Sequence, residues 1–224
     1  MPLKDLARLR EGSYRLFGTL LLYPDGDWIA TLSRLAERLA EETQPFRQFA
    51  FWAQWERLLG ALQRLSDGDR SALEAEYVNG LVVPSGEEAG LLYESSYVPR
   101  KDVAWVMAEL AGEYARLGFS LDPAVNEPPD HAAIELEFMS LLCGKEGEAW
   151  IRENLAESVG CLYRERRFLV QHLFQWFPEF TRQAANRNDP GFYALVADAA
   201  HAFIAHDLDL VTALLGRLQE VAQT

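Results

Sequence analysis

Apolar residues recur at helical spacing along almost the whole chain, and no two-residue alternation persists anywhere. That period constrains the fold class before any motif is considered, because a 3.6-residue stripe does not map onto one face of a strand. Leu6, Leu9, Ser13, Leu16, Phe17 and Leu20 form one such stripe, which ends near Tyr23-Pro24. A second helix is expected over about 28–40 and a third after Pro45. The turn Ser66-Asp67-Gly68-Asp69 leads into a fourth, which Asp69 can cap and which ends near Asn79-Gly80. A fifth runs over about 101–117 and stops at Gly118. A sixth opens at Asp130 and should stop near Gly144, with a long seventh over about 148–172. A proline-marked turn follows at 176–180, and Asn188-Asp189-Pro190 starts a last helix reaching about 219. The expectation is an all-α, single-domain bundle of about nine or ten helices over residues 1–224. Residues 81–99 are the exception. They are too apolar for a solvated linker and should pack as a long loop lining a groove, with a short β-hairpin as the alternative.

Composition removes several classes of function. The net charge of −13 is the opposite of a nucleic-acid footprint and is repelled by anionic lipid. It suits solubility and a basic partner. Cys143 and Cys161 make no Cys-x-x-Cys motif and read as buried thiols, which fits a reducing compartment. The amino terminus has no apolar core of a secretory signal, and no run of ~20 apolar residues occurs. A cytoplasmic protein without stable membrane insertion is expected. His131, His172, His201 and His206 form no His-Glu-x-x-His or Glu-x-x-His, so no metal site is expected. No phosphate-cradling glycine loop and no nucleophile elbow is present, so neither cofactor nor catalysis is expected. Arg166-Arg167 resembles a twin-arginine pair but lies deep in the chain, on a helix face.

The strongest local pattern is Glu127-Pro128-Pro129-Asp130-His131 before an apolar helix. The prolines stiffen the approach and keep the preceding residues out of the α region. Asp130 falls at the N-cap or in the first turn, facing the positive end of the helix dipole. His131 begins a stripe continued by Ile134, Glu135, Phe138, Met139 and Leu142. Read locally, Asp130 is a cap and His131 a rim residue. Read functionally, a His and two carboxylates stand at a rigid entrance.

Two more elements occur in order around it. Tyr93-Glu94-Ser95-Ser96-Tyr97 lies upstream, and His172, Trp176, Pro178 and Phe180 lie downstream. With Glu127, Pro128, Asp130, His131, Glu137 and Met139, these elements resemble the TorD/DmsD/NarJ family of redox-enzyme maturation chaperones. The likeness runs over almost the whole chain. One segment departs from it: Leu81 stands where the family often has an aromatic, which implies a different client or a shallower pocket.

The resemblance implies a system-specific chaperone, not an enzyme. Such a protein holds the apo catalytic subunit of a molybdenum-cofactor oxidoreductase, often by its twin-arginine signal peptide, until the cofactor is inserted. The complement of that peptide is an apolar groove with acidic groups at one end, since arginine pairs bidentately with carboxylates. Glu127, Asp130 and Glu135 are candidates to meet the arginines. Tyr77, Leu81, Tyr93 and Tyr97 are candidates for the apolar part, His131 is a candidate to orient Asp130 or donate to a client carbonyl, and Pro128 and Ser95 belong to the same client-binding set. Asp130 and His131 alternatively pin the loop to the helix without touching a client. A helical scaffold without signal-peptide preference, and a metal-dependent helical enzyme, are the rival readings. A monomer is expected, or a dimer swapped at the loops near 118–126.

Overall fold

In a computed structural model, residues 1–43, 47–82, 90–120, 127–186 and 191–222 are described. Among them are nine α-helices: α1 (Leu3–Leu20), α2 (Trp28–Glu42), α3 (Trp52–Leu62), α4 (Arg70–Tyr77), α5 (Val103–Arg116), α6 (Ala132–Ile151), α7 (Leu155–Phe168), α8 (Phe174–Ala185) and α9 (Phe192–Ala222). The all-α expectation holds. The one extended pairing among the described residues is an isolated antiparallel bridge, Tyr93 with His131. It joins the loop to the entrance of α6, so the loop pairs across the fold. The part of the expected loop at 83–89, the swap region at 121–126 and the start signal at 188–190 lie outside the described residues.

Helix α6 is the axis of the molecule. From Ala132 to Cys143 every residue except Glu137 and Leu141 is buried, as expected of a helix surrounded by others. Helix α1 lies antiparallel along it. Gly18 faces Ala133, Gly144 faces Glu11, and Gly147 faces Ala7. A Cβ on Gly18 would sit 3.2 Å from the Ala133 carbonyl oxygen. This contact explains one departure from the expected boundaries. Gly144 was expected as a stop, but Gly144 and Gly147 lie within α6, where small residues admit the α1 backbone. The real break comes at Arg152–Asn154. Glu153 takes φ 54°, and Asn154 accepts a hydrogen bond from Glu157 N at 3.1 Å as the cap of α7.

The turn expected at 176–180 is also helical. Pro178 sits inside α8, which a π turn (Leu169–Leu173) joins to α7. An interior proline costs about 3 kcal/mol. Trp176, Phe177 and Phe180 are buried around it, and each such side chain contributes roughly 1.5–3 kcal/mol on burial. Packing thus outweighs the breaker. At α4, Asp69 turns its carboxylate back to Ser66, accepting from Ser66 N at 2.9 Å and Ser66 Oγ at 2.7 Å, and makes no side-chain cap bond to α4.

A second polar feature holds the far end of the α1–α6 pair. Arg10, 1% exposed, donates to Asp207 at 2.5 Å, Glu146 at 2.6 Å and Glu165 at 2.6 Å. Tyr14 Oη donates to Asp207 at 2.7 Å, and Trp150 Nε1 to Glu146 at 2.7 Å. One cation thus ties α1, α6, α7 and α9 together. Three acids facing one base leave an excess negative charge, and Glu165 Oε1 has no partner. Burial above all pushes the Glu165 carboxyl up to about 8, against the opposing pull of Arg10. No helix among the described residues is long and apolar enough to cross a membrane.

Candidate functional site

The motif segments that are far apart in sequence meet at the entrance of α6. Residues 90–97 cross it as a strap. Leu91 N donates to Leu81 O at 2.8 Å, Ala132 N to Leu92 O at 2.8 Å, and Glu94 N to Asp130 O at 3.0 Å. The Asp130 carboxylate then accepts from Ser95 N at 3.1 Å. Asp130 is therefore not the cap of α6. That position belongs to His131, whose Nδ1 accepts from Ala133 N at 3.2 Å. Asp130 instead fixes the strap through backbone and side chain together.

Since His131 Nδ1 is an acceptor, the neutral ring carries its proton on Nε2. That atom is buried without a hydrogen-bond partner, and lies 4.0 Å from Glu127 Oε2, beyond bonding reach. Burial lowers the His131 pKa to about 4, so the ring is uncharged at neutral pH. Tyr93 packs edge-on against it, with ring centroids 5.2 Å apart, and donates its hydroxyl to Glu127 at 3.1 Å. Burial, then the Glu127 charge, push Tyr93 up to about 12.

Below the strap lies a buried polar layer. His172 Nδ1 is 3.0 Å from Glu94 Oε2, and Trp176 Nε1 donates to Glu135 Oε2 at 3.2 Å. Tyr97 stacks on Trp176 at 5.3 Å and donates to Leu91 O at 2.8 Å. Tyr114 of α5 donates to Pro129 O at 2.8 Å. Burial chiefly, and then the Glu94 charge, push the Glu135 carboxyl well above the usual carboxylate range.

The expected site residues thus fall into three groups. Glu127, Pro128, Tyr93, Ser95 and Tyr97 are partly exposed, and Tyr93 of the strap bonds to Glu127. Asp130, His131 and Glu135 are buried beneath it. Tyr77 and Leu81 are buried at its edge. Tyr77 donates to Leu21 O at 3.1 Å, and burial, followed by Glu127 and Tyr93, raises its pKa. Sequence reading passed over Glu94 and gave His172 no role. The available signal was an acid and a histidine set among apolar neighbours, where an unpaired charge is costly. The same signal marks Arg10, which falls on the Leu6–Ser13 stripe of α1. Among the described residues no group of three or more His, Cys, Asp or Glu is placed to hold a metal ion.

Known proteins resemble this chain in sequence and in fold. The family model described as nitrate reductase delta subunit matches residues 31–182, a span that holds all three motif segments. Chaperone protein TorD of Vibrio cholerae serotype O1 is 31% identical over 156 residues, covering 67% of this chain and 68% of the relative. The chlorate reductase assembly chaperone protein of Ideonella dechloratans is 33% identical over 114 residues, covering 51% of this chain and 58% of the relative. Among solved structures, a candidate redox enzyme maturation protein from Archaeoglobus fulgidus shares the fold. Its TM-score is 0.56 at 22% identity, covering 87% of this chain and 93% of that one. The chain belongs to the nitrate reductase delta subunit family, the TorD/NarJ family of assembly chaperones.

Proposed function

We propose that this chain is a cytoplasmic, system-specific chaperone acting as one domain. It holds the apo catalytic subunit of a molybdenum-cofactor oxidoreductase, chiefly by its twin-arginine signal peptide, until the cofactor is in place. Family membership and the relatives named for enzyme assembly support the chaperone role. The observation that carries the peptide reading is the rim of the strap. The Glu127 side chain is 33% exposed and accepts from the neutral Tyr93 hydroxyl. Among the described residues no arginine or lysine pairs with it. A carboxylate so placed beside the partly exposed Tyr93 is available to an incoming guanidinium, and charge-assisted bonds of that kind are the strong ones. Asp130, His131 and Glu135 act in the closed structure through the strap they hold.

Calorimetry with a twin-arginine signal peptide tests this. Binding in the micromolar range, about 8 kcal/mol, is expected, weaker at high salt and weaker in Glu127→Gln. Equal binding of the authentic, Lys-Lys and scrambled peptides would sink the reading and favour an adaptor without signal preference.

A further inference from the structure

On a molecule of net charge −13, α7 carries a basic face. Arg164, Arg166 and Arg167 are exposed around the buried Glu165. Each guanidinium is tied to the protein through one nitrogen. Arg164 Nη1 lies 3.9 Å from Cys161 Sγ, Arg166 Nε donates to Thr212 Oγ1 at 3.1 Å, and Arg167 Nη2 donates to Glu113 at 2.6 Å. A guanidinium has five N–H donors, so most of each fork is left over. Among the described residues no acid pairs with Arg164 or Arg166. Basic residues in a last turn often serve the carbonyls of a helix end. Here the chain stays helical beyond Phe168, with Leu169 at φ −56° and ψ −47°, and runs through the π turn into α8. These arginines therefore have no bare helix end to cover. Beside them Tyr163 is 46% exposed, and a groove of about 410 Å³ runs between Tyr163, Val170, Gln171 and the three arginines.

We propose that this face docks an acidic segment of a partner protein. The segment's carboxylates meet Arg164, Arg166 and Arg167, and its apolar side chains lie on Tyr163 and Val170. Arginine matches a carboxylate bidentately, and such charge-assisted pairs are strong. The single tethers hold the forks beside the groove, which lowers the ordering cost of binding. Charge selects the occupant. The net charge repels a long polyanion, an anionic membrane and a second copy of this chain alike. A short acidic segment meets chiefly the local arginine field, within a Debye length of ~8 Å at physiological salt. The face selects the opposite charge to that proposed for the Glu127 rim and stands independently of it.

Fluorescence anisotropy of a dye-tagged glutamate–leucine peptide with the full chain tests this. The peptide should bind, and more weakly as salt rises. Arg164→Gln and Arg166→Gln should each weaken it by about 10-fold or more, the size of a lost hydrogen bond to a charged group. Both side chains are exposed, so helicity by circular dichroism should be unchanged. Should a glutamine variant fail to fold, Arg166→Lys keeps the charge without the fork and should still weaken binding, by less. The arginine variants should bind the twin-arginine peptide as the wild type does, so failure of the Glu127 reading leaves this face standing. No binding at about 1 mM, equal binding of a glutamine–leucine peptide, or affinity unmoved by the substitutions overturns the proposal. Tighter binding of oligouridylate or of phosphatidylserine vesicles overturns it in favour of a nucleic acid or a membrane. A sedimenting dimer that the arginine variants dissociate overturns it in favour of a second copy.

Discussion

Arg10→Met removes the one cation from a site that keeps three acids. Arg10 makes short bonds to Glu146, Glu165 and Asp207, and the guanidinium is sealed from water. Losing one partner of a buried pair costs about 3–5 kcal/mol, while domain stability is typically about 5–15 kcal/mol. The variant should therefore lose about a fifth or more of its stability, read as a lower midpoint in urea. The pH dependence makes the test sharper. In the wild type the folded chain keeps a proton on Glu165 up to about pH 8, whereas the unfolded chain gives it up near ~4.3. Stability from this group is complete below the unfolded value and is lost as pH rises toward 8, by ~1.4 kcal/mol per pH unit for one proton. Arg10 pulls the Glu165 and Glu146 pKa values down, so its removal raises them and steepens the fall. The deficit should be larger at pH 8 than at pH 5. A deficit below ~1 kcal/mol at pH 7, or one equal at both pH values, would refute the account.

Three further outcomes are expected. His131→Ala removes the α6 cap and should lower stability by about 1 kcal/mol in denaturant melts, with His131→Asn largely restoring it. The wild-type His131 contribution is present above its unfolded pKa of ~6.5 and is lost as pH falls through about 4, so Ala should remove one acid-side component of the melting curve. Gly18→Val drives a branched side chain toward the Ala133 carbonyl and should cost about 1–3 kcal/mol by thermal melting; an unchanged melting temperature would mean that α1 and α6 can separate freely. Asp130→Ala leaves Ser95 N without its acceptor and should cost about 1–3 kcal/mol. Exchange at 93–97 should rise, whereas Asp130→Asn, which still accepts, should hold the strap.

The helical period, the Glu-Pro-Pro-Asp-His entrance and the order of the three motifs were legible because each is local. What was not legible required knowing which helices meet. Gly144 and Pro178 are breakers by residue type, and both sit inside helices because a neighbouring backbone or an aromatic cluster makes that position favourable. Asp130 reads as a cap until the strap supplies a backbone N–H for its carboxylate and leaves the cap to His131. Glu94, Glu135 and His172 are ordinary polar residues in sequence. Their character comes from being shut together, which no single segment encodes.

The antiparallel seating of α1 on α6 also sets an order of assembly. Helix α1 ends at Leu20 and α6 begins at Ala132, while Asp207, the last acid to reach Arg10, lies farther still toward the carboxyl end. During synthesis the first helix emerges long before the surface that covers it. Contacts of such sequence separation close late and slowly, and uncovered apolar faces invite misassociation meanwhile. A member of a family that attends to unfinished enzymes thus passes through an unfinished stage of its own, with its first helix waiting for most of the chain to arrive.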